Sequence, residues 1–410
     1  MQLRFLSFYV INLLAVILLF GSCQPSQTTC PVIDMDNPEG TIDLKLSDLL
    51  DNITIVPLET RDDLLLSTAG AYFVITDRYI IVDSGDKLLQ FDHHGNYIKT
   101  LAIRGNGPNE FSFISAMLSD EKGEILYYTD FRNKESVLGI NLNTGAFLEF
   151  PNPDLPAFSI SVIDTKGNIY GPASPSLINV EAPASESENV PVLAYSYHPA
   201  LKGSTVVIKG CHSFIRDIRF PLMFRKGDEI SFLHPAYSDT LFTLSGDKMI
   251  PQYVIKLKNP CIDAFKGGVS LSFPLSGNWG TIIGRQEVRG LSETTDFSRM
   301  RQWLPYLFLD KKGALKTIKS ITIDPIGVTI DMDSHLKQIN ELRDNEKIGF
   351  APSESNLWGY FAVEASTMTA LLNQALSSHQ LSAVQQKIIK EVAANINDDS
   401  NPVLIMGKVR

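Results

Sequence analysis

A chain of 410 residues with a formal net charge of −10 has no clustered run of lysine and arginine. Because contacts to nucleic-acid phosphates need concentrated positive charge, this distribution excludes DNA and RNA as partners. Hydrophobic residues make up 44% and charged residues 20% of the chain, which excludes disorder for most of it and predicts a sizeable core.

The N-terminal end has the pattern of a lipoprotein signal peptide. Arg4 supplies a positive charge, residues 5–20 are almost uninterruptedly apolar, and two small residues precede Cys23. The apolar stretch is too short for a spanning helix and lacks a stop-transfer flank. We predict that residues 1–22 are cleaved, that lipid on Cys23 anchors the protein to a membrane, and that residues 23–51 form a polar tether. A plain secretory signal and an uncleaved anchor are the alternatives.

Export would place the remaining cysteines in an oxidising compartment. Cys30, Cys211 and Cys261 form an odd set, so a bridge between Cys211 and Cys261 and a pair of buried thiols both stay open. No C-x-x-C motif or Cys/His cluster has the spacing of a zinc site. Adjacent His93 and His94 fall in a predicted turn, where their side chains point apart and are solvated. We predict no metal site and no cofactor.

A unit of short strands recurs along the chain and contains a hairpin turn with glycine. The clearest copies are residues 79–101, 125–150 and 230–255, and weaker copies are residues 168–208 and 303–318. Tight hairpins need a residue at positive φ, which suits glycine. The hairpin glycines are Gly95, Gly145, Gly203, Gly246 and Gly313. Units of about 40–50 residues with about four strands each are typical of propeller blades.

Residues from both ends of the chain complete a sixth unit. Residues 53–59 alternate apolar and polar side chains as a strand does, and residues 401–409 form a second isolated apolar strand. Pairing these two strands closes a ring and removes an open sheet edge. The sequence therefore predicts an all-β fold, a six-bladed β-propeller of residues 52–410 that is closed by its N- and C-terminal strands.

The hydrophobic period changes from that of a strand to that of a helix near the C-terminus. Between Ser382 and Asn395 apolar residues recur at every fourth position, and the tetrad S-A-V-Q provides a capping box. A similar apolar stripe covers residues 368–376. We predict a short C-terminal helical insertion packed on one blade; a groove that binds a partner is the alternative.

Five segments, taken together, resemble the six-bladed β-propeller lipoprotein family of Bacteroidetes. They are IVPLET (55–60), QFDHHGNYIKTLAIRGNGPNEF (90–111), YSDTLFTL (237–244) followed by PQYVIKL (251–257), and NPVLIMGKV (401–409). In that family V-P-L-E-T opens the fold, G-x-G-P-x-E-[YF] leaves the first blade, S-D-T-[IL]-[YF] lies mid-chain and D-N-P-[VIL]-L ends it. Ser400 stands where the family has Asp. The resemblance implies the propeller fold and an exported lipoprotein, and it brings no activity, cofactor or catalytic residue.

The glycine-rich stretch RGNGPNEF lies between two predicted strands. A phosphate cradle would need a helix after the glycines, whereas the following FSFISAML is predicted as a strand. Pro108 removes a backbone donor, and Glu110 brings negative charge to the place where phosphate would lie. We predict a structural corner between blades, formed by Gly105, Gly107 and Pro108 and braced by an ion pair of Arg104 with Glu110.

No catalytic set is recognisable in the sequence. It has no G-x-S-x-G elbow and no sialidase-type S-x-D-x-G-x-T-W box, and its 46 acidic residues do not reveal which pair converges. Aromatic residues in polar or glycine-rich settings suit sugar or peptide recognition. The candidates are Trp279, Trp303, Trp358 and Tyr360, and packing within a blade is the alternative for each. We predict a non-catalytic binding module for a protein, peptide or glycan; a propeller hydrolase or lyase acting on carbohydrate is the alternative.

The segment that follows Cys23 bears on the location of the protein. QPSQTTC has no acidic residue of the kind that would mark export to the cell surface. We therefore expect a cell-envelope lipoprotein of the outer membrane that faces the periplasm, with the cell surface as the alternative. The predicted partners are the membrane, through the lipid, and an unidentified protein, peptide or glycan.

Overall fold

The computed structural model describes residues 30–66, 71–120, 122–130, 132–151, 160–172, 192–198, 203–209, 222–226, 228–233, 239–245, 248–260, 267–289, 301–341, 352–355, 357–377 and 381–410. Contact patterns separate residues 1–31 from a compact unit of residues 32–410. All the elements described below belong to that second unit. Its first elements are β1 (Val32–Asp34), β2 (Thr41–Lys45), the one-turn helix α1 (Leu46–Leu49) and β3 (Leu50–Pro57).

Five sheets then follow one another, and each is built on four antiparallel strands that pair in chain order. The first contains β4 (Tyr72–Ile75), β5 (Tyr79–Asp83), β6 (Lys87–Asp92) and β7 (Tyr97–Ile103). The second contains β8 (Ile114–Ser119), β9 (Ile125–Asp130), β10 (Asn133–Asn141) and β11 (Phe147–Pro151). The third contains β12 (Val162–Ile163), β13 (Ile169–Pro172), β14 (Val192–His198) and β15 (Gly203–Lys209).

The strands of the fifth sheet are on average longer than those of the other four sheets. The fourth contains β16 (Leu222–Lys226), β17 (Glu229–Leu233), β18 (Thr240–Ser245) and β19 (Lys248–Lys256). The fifth contains β20 (Gly267–Gly277), β21 (Gly280–Arg289), β22 (Arg301–Asp310) and β23 (Leu315–Ile323). A further strand, β24 (Val328–Asp331), pairs with the end of β23.

The last sheet combines both ends of the described chain. Its order is β25 (Pro352–Ser355), β26 (Trp358–Val363), β27 (Val403–Val409) and β3. β27 runs antiparallel to β3, so that Val403 lies opposite Pro57 and Val409 lies opposite Leu50. The predicted pairing of the N-terminal with the C-terminal strand is confirmed.

The sheets form a propeller-like ring. The first strand of each sheet contacts the first strand of the next: β4 with β8, β8 with β12, β12 with β16, β16 with β20, β20 with β25, and β25 with β4. A hydrophobic cluster fills the interface between each pair of neighbouring sheets. Between the first two sheets, for example, Leu88 and Leu101 pack with Phe111 and Met117. The predicted all-β, propeller-like architecture is confirmed.

The segment predicted as a polar tether contributes two strands to this ring. β1 lies parallel to β19, with Ile33 opposite Ile255, and β2 lies parallel to β23, with Leu44 opposite Ile321. Ile33 and Leu44 are buried because each strand covers the outer edge of a sheet. The fold therefore includes residues 32–51, against the predicted start at residue 52.

Three longer helices pack beside the last two sheets: α2 (Met332–Glu341), α3 (Ala365–Ser377) and α4 (Ala383–Ala393). Ser382 Oγ accepts a hydrogen bond from the Gln385 N–H at 3.2 Å, and Gln385 Oε1 accepts one from the Ser382 N–H at 2.9 Å. The predicted capping box and helical insertion are confirmed. The buried apolar faces of α3 and α4 join the cluster between the fifth and last sheets through Met368, Leu372, Ile389 and Val392. Within the described part of the chain, no helix has the length and apolarity needed to cross a membrane.

Side-chain oxygens close the hairpins of several sheets. Asp92 Oδ1 accepts hydrogen bonds from the N–H groups of His94 at 2.8 Å and Asn96 at 2.9 Å, and Gly95 between them has a φ of 86°. Similar turns recur at Asp120, Asn141, Asp164 and Asp310. The predicted positive φ is also found at Gly145 and Gly313, whereas Gly203 opens β15 and Gly246 lies outside the described residues.

Candidate functional site

A cavity of about 280 Å³ lies where the first strands of the sheets meet. Every sheet of the ring contributes to its wall. Six lining residues, one from each sheet in chain order, are Phe73, Met117, Ile163, Arg225, Phe273 and Tyr360. A small molecule in this cavity would contact all the sheets of the ring, so the cavity can bury much of the surface of a ligand.

Aromatic rings form much of the cavity wall and are fixed by contacts between neighbouring sheets. The rings of Phe224 and Phe273 stack with centroids 4.4 Å apart and planes 19° apart. Phe73 meets Tyr360 edge-on at 5.7 Å, and the Tyr360 hydroxyl donates to the backbone oxygen of Phe73 at 3.3 Å. These rings therefore offer preorganised apolar faces to a ligand.

Tyr72 is the most accessible of the aromatic lining residues described. Solvent reaches 56% of its side chain, although Phe73 and Val74 beside it are buried. Desolvation by the surrounding protein nevertheless raises the pKa of the Tyr72 phenol. A side chain at the open side of a narrow cavity is expected to contact solvent while protein atoms surround much of it. Tyr72 can therefore contact a ligand without being needed to fill the core.

Arg225 is the one charged residue among the described residues that line the cavity. Its side chain is only 5% exposed. Nη1 donates to the backbone oxygen of Ile163 at 3.4 Å, and Nη2 lies 3.6 Å from Oδ1 of Asp228. Because Ile163 also lines the cavity, the guanidinium group lies in the wall between the third and fourth sheets.

A second concave surface lies beside helix α4. This groove of about 650 Å³ is lined by residues from α1, β3, α4 and the C-terminus, among them Ser47, Asn52, Val384 and Arg410. Val384 is 68% exposed. The groove corresponds to the predicted alternative of a partner-binding groove, but none of the described residues that line it is aromatic. The central cavity is the more complete candidate site.

Two of the aromatic residues singled out in the sequence lie at packing positions in the fifth sheet. Trp279 Nε1 donates to the backbone oxygen of Leu49 at 3.0 Å, and the Trp279 ring stacks on Phe308 at 5.8 Å. The Trp303 ring stacks on Tyr306, also at 5.8 Å. Neither tryptophan is among the described residues that line the central cavity. Their contacts favour packing over ligand binding.

Trp358 lies at the seam between the last sheet and the first. Its Nε1 donates to Asp77 Oδ1 at 3.0 Å, and Lys408 Nζ lies 3.0 Å from the same carboxylate and 5.6 Å from the centroid of the Trp358 ring. His93 packs edge-on against that ring at 5.0 Å, and its Nε2 donates to the Thr76 oxygen at 2.6 Å. His93 therefore belongs to the seam and is not the solvated turn residue that was expected.

Of the four aromatic candidates, Tyr360 is the one that the structure places in the cavity wall. Four lining residues were not predicted from the sequence: Tyr72, Phe224, Arg225 and Phe273. These residues lie in strands of ordinary apolar pattern, with no motif or spacing that marks them. Only the ring closure, which joins sheets that are distant in sequence, brings them together.

The stretch RGNGPNEF connects β7 to β8 and thereby the first sheet to the second. The Gly107 N–H donates to the Glu110 carboxylate at 2.6 Å. Pro108 and Asn109 occupy the centre of a turn closed by a hydrogen bond from the Glu110 N–H to the Gly107 oxygen at 3.3 Å, with Asn109 at a φ of 62°. A Cβ atom at Gly105 would overlap the Glu110 carboxylate, so a larger residue there would require the Glu110 side chain to move.

The guanidinium that contacts this corner belongs to Arg132. It donates to the backbone oxygen of Gly105 and to the side-chain oxygen of Asn106. Among the ion pairs of the described residues, none joins Arg104 to Glu110. The expected ion pair of Arg104 with Glu110 is not formed because the Glu110 carboxylate accepts a hydrogen bond from the Gly107 N–H in its own loop.

Three cysteines of the sequence-based hypotheses lie outside the described residues: Cys23, Cys211 and Cys261. Lipid on Cys23 and a bridge between the other two therefore stay predictions. Cys30 lies within the described residues and has a free thiol.

A ring of sheets around a narrow aromatic cavity defines a β-propeller-like protein. Residues 30–408 match the family model of the domain of unknown function DUF4934, and the chain belongs to that family. The match includes the two N-terminal edge strands, in agreement with their place in the fold. A comparison with curated proteins gave no significant match.

Many solved structures show similarity to the chain. A crystal structure of a Bacteroides fragilis protein described as exported has a TM-score of 0.55 at 12% sequence identity, over 90% of this chain and 99% of that chain. At this identity the likeness shows the fold alone. Acylaminoacyl peptidase from Pyrococcus horikoshii has a TM-score of 0.36 at 9% identity, over 73% of this chain and 45% of that chain. With a TM-score this low, nothing about the present chain is inferred from the peptidase.

Proposed function

We propose that the protein is a membrane-anchored, extracytoplasmic binding module that takes a small ligand, or the end of a larger peptide, protein or glycan, into the central cavity. The observation that carries this proposal is the cavity itself, with fixed aromatic walls at the centre of the ring and the accessible Tyr72 ring among its lining residues. Apolar walls with a few polar groups are typical of ligand sites.

The proposed architecture is a six-bladed propeller. Three sets of observations support it: the described strands pair into six sheets, their first strands contact one another in a closed circle, and a hydrophobic cluster lies at each of the six interfaces. The pairing of β3 with β27 supplies the closure. Such closure leaves only short outer edges and suits a rigid scaffold.

The proposed module is non-catalytic. Glycosidases need two carboxylates that face each other across the substrate. The described residues that line the central cavity include no aspartate or glutamate. Ser161 is the one hydroxyl-bearing aliphatic side chain among them, and no histidine accompanies it. The composition of this wall supports binding over hydrolysis.

The proposed anchor is lipid on Cys23, in the outer membrane and facing the periplasm. The charged N-terminus, the apolar stretch and the small residues before Cys23 support it. A structural neighbour is described as exported, which is in keeping with an extracytoplasmic location for this chain.

A screen with a matched pair of variants tests the binding proposal. Purified full-length protein in detergent is screened by thermal shift against glycan and peptide libraries, with hydrolase substrates assayed in parallel. Tyr72→Ala should abolish the shift given by a hit, because Tyr72 lines the cavity and is 56% exposed. Phe113→Ala is the control, since Phe113 is 58% exposed and does not line the cavity.

Two results would overturn the proposal. One is a hit whose thermal shift is equal in Tyr72→Ala and in the wild type. The other is turnover of a hydrolase substrate that persists through repeated purification and is lost when a single carboxylate is replaced.

A further inference from the structure

We infer that the central cavity binds the C-terminal residue of a peptide, with the terminal carboxylate held by backbone N–H groups at the inner edges of the first three sheets. This inference rests on the proposed function and adds the chemical class of the ligand. It follows from the backbone groups that face the cavity, from the partners that some of them already have, and from the side chains around them.

Among the described strands, the first strand of each of these three sheets has one edge without a partner strand. In an antiparallel pair, the N–H and C=O groups of alternate residues point to the partner strand, and those of the residues between point away from it. In the first sheet the Thr76 N–H donates to the Tyr79 oxygen at 2.9 Å. Counted back along β4 from that bond, Tyr72 and Val74 point to β5, and Phe73 points away from it into the cavity.

The same alternation places Met117 and Ile163 at inner edges. In the second sheet the Asp120 N–H donates to the first residue of β9 at 3.1 Å, so the N–H and C=O groups of Met117 point away from β9. In the third sheet the Asp164 N–H donates to the residue before β13 at 2.9 Å, so Ile163 next to it points away from β13. Phe73, Met117 and Ile163 all line the cavity, and each is at most 3% exposed.

Protein donors already occupy two of the three inward-facing carbonyl oxygens. The Tyr360 hydroxyl donates to the Phe73 oxygen at 3.3 Å, and Arg225 Nη1 donates to the Ile163 oxygen at 3.4 Å. Both donors belong to other sheets, as expected of oxygens that face away from their own. Within the described part of the chain, the N–H groups of Phe73, Met117 and Ile163 have no acceptor, and the Met117 oxygen has no donor. Since buried backbone groups are rarely left unpaired, these groups suit a ligand.

Three donors and one acceptor make this wall complementary to a peptide C-terminus. A carboxylate has two oxygens that accept several hydrogen bonds, and its charge strengthens each of them. The described residues that line the cavity include no aspartate or glutamate, so no carboxylate of the protein competes for the donors. Backbone N–H groups are a recurring means of binding a C-terminal carboxylate. The Met117 oxygen can accept a hydrogen bond from the last N–H of the same peptide.

The side chains around the donors suit an apolar last residue. The rings of Phe224 and Phe273 stack 4.4 Å apart, and the thioethers of Met117 and Met223 lie in the same wall. A volume of about 280 Å³ equals the space of about nine water molecules in the liquid, which suffices for one residue and the peptide group before it. Tyr72, which is 56% exposed, marks the side through which the rest of the peptide would leave.

The test compares peptides that end in a carboxylate with the same peptides that end in an amide. Binding of N-acetylated tripeptides to the full-length protein in detergent is measured by calorimetry, with phenylalanine, leucine, methionine, lysine or glycine as the last residue. We expect at least one acid with an apolar last residue to bind roughly 10- to 100-fold more tightly than its amide, as bonds to a charged group require. Equal affinity of each acid and its amide, or no binding of any acid, would overturn the inference.

Backbone amide NMR of the wild-type protein locates the bound carboxylate. The acid should move the amide proton resonances of Phe73, Met117 and Ile163 downfield, because these N–H groups gain an acceptor. Val74 and Leu118 are the internal controls: they lie in the same strands, but their N–H groups point to β5 and β9, so their resonances should move much less. Resonances of the three inward-facing amides that stay in place at saturation would overturn the inference without any substitution.

Tyr360→Phe tests the balance of donors and acceptors in the wall. It leaves the Phe73 oxygen facing the bound carboxylate, so the ratio of acid to amide affinity should fall roughly 3- to 10-fold. Tyr79→Phe is the matched control: its hydroxyl also bonds between sheets, to Asn143 Oδ1 at 3.1 Å, and Tyr79 is not among the described residues that line the cavity. It should leave the ratio unchanged. An unchanged ratio in folded Tyr360→Phe would contradict the inference.

The inference and the proposed function fail separately. A glycan or another library compound that binds in a manner that Tyr72→Ala abolishes would leave the proposed function standing, even when no peptide acid binds. Peptide acids that bind equally well to Tyr72→Ala, without moving the three amide resonances, would count against both.

Discussion

The backbone N–H of Asn401 donates a hydrogen bond to the hydroxyl oxygen of Thr60, 2.9 Å away, although 341 positions separate the two residues in the sequence. The Asn401 side chain adds three bonds: Nδ2 donates to the oxygens of Glu59 and Leu64 at 2.7 Å each, and Oδ1 accepts from the Leu66 N–H at 2.7 Å. Asn401 thus connects the last strand to the segment that leads into the first sheet. These hydrogen bonds explain why an asparagine precedes Pro402.

Replacing Asn401 should weaken ring closure. Its side chain is 2% exposed, and Asn401→Asp would set a carboxylate against two carbonyl oxygens in place of an N–H donor. We expect a loss of about 2–3 kcal/mol in the free energy of unfolding, measured with urea. Asn395→Ala, which removes an exposed bond to the Glu391 oxygen, should cost less than about 0.5 kcal/mol. Equal effects of the two substitutions would contradict this account of the seam.

Substituting two glycines of the first sheet distinguishes the energetic cost of steric overlap from the cost of backbone strain. Gly95 and Gly85 have the same φ of 86°, but a Cβ at Gly95 would overlap the Pro57 backbone oxygen, whereas nothing lies within 4 Å of a Cβ at Gly85. Gly85→Ala should cost about 1–2 kcal/mol for the left-handed backbone. Gly95→Ala should cost about 1–3 kcal/mol more, because β3 cannot move without opening the seam. Thermal or urea unfolding measures both, and equal losses would refute the overlap.

Acid should destabilise the corner between the first and second sheets through Asp130. Burial acts to raise the pKa of Asp130, but hydrogen bonds from Ser112 and from the Arg132 N–H outweigh it and hold the pKa below its usual value of 3.8. A lowered folded-state pKa means that the carboxylate stabilises the fold above that usual value, and that this contribution is lost as the pH falls through the folded-state pKa.

Ser112→Ala tests this linkage. The substitution removes the hydroxyl that donates to Asp130, so the pKa of Asp130 should rise and acid unfolding should begin at a higher pH. Ser377→Ala is the control, because its exposed hydroxyl bonds only the Asn373 oxygen at 2.9 Å. Unfolding curves between pH 2 and 5 that coincide for Ser112→Ala and the wild type would show that Asp130 does not set the acid limit.

Lipid on Cys23 is open to direct labelling. Cells grown with an alkyne fatty acid should incorporate it into the wild-type protein and into Cys30→Ser, but not into Cys23→Ser. The Cys30 variant is the matched control because it removes a cysteine a few positions further along the same segment. Label retained in Cys23→Ser would exclude Cys23 as the lipidation site.

Much of the ring could be predicted from local signals in the sequence. Turns with glycine at Gly95, Gly145 and Gly313 mark hairpins because few other residues accept positive φ. The S-A-V-Q tetrad marks the start of α4 because a cap is defined within four residues. The terminal strands were predictable from the alternation of residues 53–59, from the apolar run of residues 401–409 and from the open edge that each would otherwise leave.

Other features depend on partners that are distant in the chain. β1 has three residues and β2 five, too few for a periodic signal, and their positions depend on β19 and β23. The role of Trp279 depends on the carbonyl of Leu49, which no spacing in the sequence reveals. The cavity is a property of the closed ring, so its lining residues have no common local pattern.

Methionine methyl NMR tests most directly whether a ligand enters the central cavity. Met117 and Met223 line the cavity, whereas Met368 is fully buried in helix α3, beside the fifth and last sheets. Titration of the methyl-labelled protein with the library compound of largest thermal shift should move the Met117 and Met223 resonances and leave Met368 in place. Saturating binding that leaves Met117 and Met223 unmoved would contradict the account.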